Sequence, residues 1–201
     1  LRKIGELEEA EGTTRKAIKL KPNYADANLN LGSILQDLGK LKEAEIYTRK
    51  ALEIKSEWEK AFYNLANIQM DLGKTKEAEN SVRRSIEIDY EYGNAHFLLS
   101  EIHLKNLNFN EGWNEYEWRW RAQKNNQTIL MKLKSNKPEW RPENKGRVLV
   151  WGEQGIGDQI MFLSVIPDFL ELIDKLIIKI DKRLIPLIKR TFGKRIDCRD
   201  I

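Results

Sequence analysis

The residues with the most chemical potential lie in two places. One is Gly152-Glu-Gln-Gly-Ile-Gly157-Asp158, a glycine-rich turn that ends on a carboxylate. A loop of Gly152, Gln154, Gly155 and Gly157 lets the backbone come close to a ligand, and a helix starting behind it presents positive partial charge to an anion. A carboxylate in the first turn of that helix is favoured as the anion, so Asp158 could take a proton from an acceptor hydroxyl as a general base. The alternative is that Asp158 only caps the helix. The spacing is not the GxGxxG of dinucleotide-binding turns, and the Lys-Ser/Thr of a P-loop is missing.

The other place is the pair Asn30 and Asn64, 34 residues apart. An asparagine amide donates and accepts, so stacked asparagines at a constant rise can follow the backbone of an extended peptide without reading its side chains. The alternative is that each bonds only to its neighbouring turn. His96 and His103, seven apart, have no carboxylate or cysteine beside them in the sequence and read as packing or surface residues, not metal ligands. Cys198 is the single cysteine, which excludes an internal disulfide.

A repeat positions the asparagines. Gly5, Gly39 and Gly73 recur at a step of 34; Ala10, Ala44 and Ala78 follow them, then Ala17, Ala51 and Ser85. Ahead of the glycines, Leu31-Gly32 aligns with Leu65-Ala66 and Leu99-Ser100. A fourth, degenerate pass has Leu107 for the glycine and Gly112 for the alanine. Each unit predicts two short amphipathic helices, such as Ala25–Leu38 and Leu41–Ile54, with a glycine stop between them. The first unit has only its second helix, Ile4–Leu20. One hairpin cannot bury its apolar face alone, so the units must stack.

Five of the six tryptophans fall between 113 and 151. Within Glu111–Arg121, Trp113, Tyr116 and Trp120 form one helical stripe that would close the end of the stack. A polar connector, 122–146, follows. The pattern then changes to apolar runs at Arg147–Trp151 and Lys175–Ile180, helical stretches at Gln159–Leu172 and Lys182–Phe192, and a third strand near Arg195. That order, βαβαβ, opens a doubly wound sheet.

The chain has 201 residues, 41% hydrophobic and 33% charged, enough apolar material for packed cores. The 35 basic and 31 acidic residues nearly cancel, unlike a dedicated nucleic-acid binder. The balance is uneven: 20 basic and 21 acidic residues in 1–126 (net −1), 15 and 10 in 127–201 (net +5). The excess gathers at Lys182, Arg183, Lys189, Arg190, Lys194 and Arg195, either a patch for an anionic substrate or a solvated helix face. The most apolar stretch, Ile160–Ile180, is interrupted by Asp168, Glu171, Asp174 and Lys175 among others, so no membrane span is expected and a cytoplasmic location is the default. Both ends read as interior sequence, so the chain is expected to be a stretch of something longer.

The period and the small-residue positions resemble the tetratricopeptide repeat (TPR) family. The expected architecture is mainly α: a TPR superhelix over 1–121, a connector over 122–146, and a partial Rossmann-like α/β domain over 147–201. The resemblance implies that the first helix of each unit lines a concave groove for a protein or peptide partner. It places Asp26, Leu29, Asn30, Ser33 and Gln36 of one unit in that groove, Lys60, Tyr63, Asn64, Asn67 and Met70 of the next, and Asn94, Phe97, Leu98, Glu101 and Leu104 of the third, with Asn30, Ser33, Tyr63, Asn64, Asn67 and Phe97 as the peptide contacts. Asn30 and Asn64 are similar to the asparagine ladder in the repeats of O-linked N-acetylglucosamine transferases, although Leu98 ends it after two rungs.

Tyr116-Glu-Trp-Arg-Trp120, Pro138-Glu-Trp140 and the string from Val150 to Pro167 resemble bacterial repeat proteins that carry a heptosyltransferase-like (GT-B) glycosyltransferase domain. That resemblance implies a nucleotide-sugar donor, Asp158 as base, and no cofactor or activity in this stretch alone, because the donor site lies mainly in the other half of such domains. The spacing from Asp158 to Pro167 is longer than in heptosyltransferases. A scaffold without chemistry is the alternative. An exposed sheet edge or the end of the solenoid is where a dimer would form.

Overall fold

The structure is a computed structural model that describes residues 2–124, 127–128, 135–152 and 155–200. The chain divides into two compact units, Leu1–Ile129 and Leu130–Ile201. The first is helical: α1 (Arg2–Leu20), α2 (Ala25–Asp37), α3 (Leu41–Ile54), α4 (Glu59–Asp71), α5 (Thr75–Ile88), α6 (Gly93–Lys105) and α7 (Phe109–Tyr116). A 3-10 turn, Glu117–Trp120, follows α7, and β1 (Gln123–Lys124) pairs antiparallel with β2 (Gln127–Thr128). The expected helices Ile4–Leu20, Ala25–Leu38 and Leu41–Ile54 are present with ends within two residues.

Hairpins form where the sequence places small residues. A Cβ on Gly32 would lie 2.3 Å from Thr48 Oγ1 and 3.3 Å from the Ala44 carbonyl, so α2 and α3 touch through a missing side chain. Leu31, Leu35, Ala44 and Ile68 then bury together, tying three helices into one cluster. Ala66, Ala78, Val82, Ala95, Leu98, Leu99 and Ile102 do the same one repeat later.

The turns repeat as well. Lys40 N donates to Leu35 O, Lys74 N to Gln69 O, and Asn108 N to His103 O, at 2.8, 2.8 and 2.9 Å. The closure needs a left-handed residue, and Gly39 and Gly73 supply it at φ +73 and +75. Gly5, in the same register, lies inside α1 and ends no helix. In the third turn Leu107 takes the glycine's conformation at φ +62 while leaving its side chain exposed. A leucine there is strained. Leu107→Gly is expected to stabilise the repeats by about 1 kcal/mol, read as a shift in denaturation midpoint with unchanged slope; an unchanged midpoint would mean the strain is absorbed elsewhere.

A second periodic device joins successive repeats. Glu11 accepts from Arg15 at 2.8 Å on its own helix and from Lys40 at 2.7 Å in the next turn. Thirty-four residues on, Glu45 accepts from Arg49 at 2.7 Å and from Lys74 at 2.8 Å. Burial pushes the Glu45 carboxyl up, but the two cations outweigh it and hold it below the ordinary value. A third rung starts with Glu79 and Arg83, but Asn108 stands where the lysine would be, and Arg83 instead lies 3.3 Å from His103 Nε2.

The second unit holds β3 (Arg147–Trp151), α8 (Ile156–Phe162), α9 (Ile166–Leu172), β4 (Lys175–Ile180), α10 (Ile185–Phe192) and β5 (Ile196–Asp200). The strands are parallel in the order β3-β4-β5, with Leu149, Ile177 and Asp197 in register. Val148, Leu176, Ile178, Ile180 and Ile196 pack with Ile166, Leu184 and Ile188 on one face, and the Trp140 ring meets Phe169 edge-on at 4.8 Å. Each helix expected as a single run, 159–172 and 182–192, is broken by a 3-10 turn before a proline. Pro167 and Pro186 have no N–H to continue the preceding helix, yet suit the first positions of the next.

Candidate functional site

The six groove residues expected from the sequence divide among three helices. Asn30 and Ser33 stand on α2, Tyr63, Asn64 and Asn67 on α4, and Phe97 on α6. These first helices of successive repeats touch one another, α2 to α4 and α4 to α6, so the six fall on neighbouring stretches of one helical layer.

The asparagines differ in their commitments. Asn30 is exposed and makes no side-chain hydrogen bond among the described residues. Asn64 donates to Ser33 Oγ at 3.1 Å, and Ser33 donates to the Leu29 carbonyl at 3.3 Å, so this rung is partly tied across the repeat boundary. Asn67 donates to the Tyr63 carbonyl at 2.9 Å on its own helix. The carbonyl oxygens of Asn64 and Asn67 accept no hydrogen bond among the described residues. Gln36 adds a second cross-repeat bond, to Asp71 at 2.6 Å.

Aromatic rings continue the layer. Tyr63 meets Tyr92 edge-on at 5.5 Å, and Phe97 meets Tyr116 at 5.6 Å. Burial raises both tyrosine hydroxyls above their ordinary pKa, Tyr92 to about 12; at Tyr63 the Asn67 amide opposes the shift and the nearby Glu101 charge adds to it. Glu101 is one of the concave-face positions that the resemblance implies, outside the six taken as peptide contacts. It stands one turn beyond Phe97, in the register of Ser33 and Asn67, where the repeat has otherwise small neutral polar residues. Its side chain keeps an exposed surface, yet its surroundings strip enough water from the carboxyl to raise its pKa. The signal available in the sequence was the break in type along the 33–67–101 column.

The tryptophan exit differs from its expected stripe. α7 stops at Tyr116, so Trp113, Tyr116 and Trp120 do not share one continuous helix, and Trp113 is half exposed. The buried contact is made by Trp118, which stacks on His96 with centroids 3.9 Å apart and planes within 6°. His96 Nε2 lies 2.8 Å from the Tyr90 carbonyl and Nδ1 lies 2.5 Å from Glu115. His96 and His103 are thus buried packing residues, and no group of three metal-ligating side chains exists among the described residues.

In the second unit, Gly152 follows the carboxyl end of β3, and Gly155 caps α8. A Cβ on Gly152 would strike the Gln159 side chain at 2.5 Å, so this glycine serves packing against α8. Gly157 and Asp158 fall in the first turn of α8, and no side chain caps that helix. Asp158 is half-buried, near Gly155, with no hydrogen bond among the described residues. Gln154 lies outside the described residues. Of the basic cluster, Arg183 is bound by Asp181, whose pKa falls to about 2.

The tetratricopeptide repeat family profile matches residues 25–57 and 59–92, the two complete hairpins α2–α3 and α4–α5. These repeats are tetratricopeptide repeats. Protein FlbA of Caulobacter vibrioides is 39% identical over 51 residues, which is 24% of this chain and 9% of FlbA. Among solved structures, MamA superposes with a TM-score of 0.53 at 21% identity, covering 58% of this chain and 68% of MamA. YrrB, described as a TPR protein with an unusual peptide-binding site, gives 0.50 at 24% identity, covering 59% of this chain and 61% of YrrB. At these identities the structures establish the fold alone. No helix among the described residues is long and apolar enough to cross a membrane.

Proposed function

We propose that the repeat unit is a scaffold that holds an extended peptide along the layer formed by α2, α4 and α6. The observation that carries this reading is the set of uncommitted polar groups on that layer: the whole amide of Asn30 and the carbonyl oxygens of Asn64 and Asn67, spaced by the repeat. Peptide recognition is also what the YrrB structure's description states of that protein. Asn64→Ala is expected to weaken a bound peptide by about 1 kcal/mol, roughly fivefold in Kd. Titration of a labelled peptide library hit against both forms measures it, and equal affinities would leave Asn64 a purely structural residue.

A second reading assigns the whole protein a sugar transfer from a nucleotide-sugar donor, with Asp158 as base. It is favoured by the parallel β3-β4-β5 order, which puts the loop from Gly152 at the carboxyl end of a strand, where ligands bind in open α/β sheets. A nucleotide-sugar binding screen on the whole protein decides between this and a scaffold without chemistry: no binding of any donor would sink the transferase reading and leave the scaffold.

A further inference from the structure

On α6 of the repeat layer, Glu101 presents a carboxylate next to the aromatic positions Phe97 and Tyr63. Glu101 makes no hydrogen bond and no ion pair among the described residues, although Lys105 follows one turn later on the same helix. Glu11, Glu43, Glu45, Glu79, Glu87 and Glu91 in the same unit each have an arginine or lysine within 3 Å.

The neighbours of this carboxylate define what would satisfy it. Phe97 lies one turn before it on the same face of α6. Tyr63 occupies the Phe97 register on α4, and its hydroxyl feels the Glu101 charge. Tyr92 abuts the Tyr63 ring. Asn67 stands in the Glu101 register on α4. Lys60 and Lys105 flank the patch, both exposed. A carboxylate short of water beside aromatic rings attracts a cation twice over, by charge and by the negative ring faces. Its raised pKa agrees, because a group desolvated without a partner gains most when a cation arrives.

We infer that the α4–α6 part of the layer is a subsite for a cationic side chain, lysine or arginine, of the bound peptide, with Glu101 as its counter-ion and Tyr63 and Phe97 as its walls. The inference rests on the peptide-binding reading and adds a charge preference to it. An acidic residue at the same place would be repelled. Arginine is favoured over lysine, since a planar guanidinium can pair with the carboxylate and lie on a ring together.

The test uses four acetylated and amidated nine-residue peptides of alternating Ser and Ala, with Lys, Arg, Gln or Glu at the centre, labelled with fluorescein and titrated by anisotropy. The Lys and Arg peptides are expected to bind about five- to tenfold tighter than the Gln peptide, and the Glu peptide weakest. Glu101→Gln, isosteric and on an exposed side chain, should erase the difference in affinity between the Lys and Gln peptides. Tyr63→Leu should reduce the Lys preference without erasing it. Binding of all four with equal affinity, or a Lys preference that survives Glu101→Gln, would overturn the cation subsite and leave the peptide groove standing. Binding of none would overturn the groove and the subsite with it.

Discussion

Gly32→Ala is expected to destabilise the repeat unit by about 2 kcal/mol, although alanine is the better helix former by about 1 kcal/mol. The added Cβ would sit 2.3 Å from Thr48 Oγ1, far inside contact distance, with the Ala44 carbonyl at 3.3 Å closing the other side. Rotating Thr48 would bring its methyl group into the same space, so α3 itself must move. Thr48 is wholly buried, and its hydroxyl has no hydrogen-bond partner among the described residues. Thr48→Ala alone therefore gives up a methyl contact but also removes an unsatisfied polar atom, and these two effects oppose each other. In the double variant the clash is gone and the helix preference of alanine is unmasked, so stability should return to the wild-type level or above. Urea unfolding of the four proteins completes the cycle, with a coupling of about 2 kcal/mol expected. A coupling near zero would show that the contact between α2 and α3 is looser than its geometry.

The same pair explains why the repeats were legible. One repeat on, Ala66 and Val82 hold these positions, both wholly buried. Close packing of two helices restricts residue size at fixed spacings, and such a restriction is written directly in the sequence as a period. The parallel strands were legible for a related reason: a buried strand is a short apolar run bounded by turn residues. The breaks before Pro167 and Pro186 are also written in the sequence, because a missing N–H is a local fact.

The site was less legible, because its properties depend on what faces what. The column Ser33, Asn67, Glu101 can be read by counting in steps of 34, but that the Glu101 carboxyl makes no hydrogen bond or ion pair among the described residues follows only from the packing of α6. The two asparagines of the expected ladder look alike in sequence and differ in structure, since Ser33 takes one donor of Asn64 while Asn30 makes no side-chain hydrogen bond among the described residues. Asp158 could be placed at a helix start from the sequence. Its lack of a hydrogen bond among the described residues could not.

His96→Leu is expected to cost about 3 kcal/mol and to loosen the exit of the repeats first. The ring has three roles at once. It stacks on Trp118, faces the Tyr90 carbonyl with one nitrogen and Glu115 with the other, and meets the Tyr90 ring edge-on at 5.1 Å. Tyr90 and Trp118 also meet each other at 5.4 Å, and Arg121, paired with Glu91, covers the Trp118 ring at 4.7 Å. The chain leaving the repeats is therefore pinned across the start of α6, so closely that a Cβ on Gly93 would lie 2.8 Å from the Arg121 backbone. Leucine fills part of the volume but abandons a buried carbonyl and a carboxylate, and that loss dominates. His96→Phe keeps a flat ring against Trp118 and loses only the polar contacts, so it should fall between wild type and leucine. Urea unfolding followed by far-ultraviolet dichroism gives the order, and limited proteolysis should cut first after Trp118 in the leucine variant. If phenylalanine is as stable as histidine, the stack alone holds the exit and the two polar contacts contribute nothing. If leucine is as stable as histidine, the exit is held by Arg121, Glu91 and the close passage over Gly93 instead.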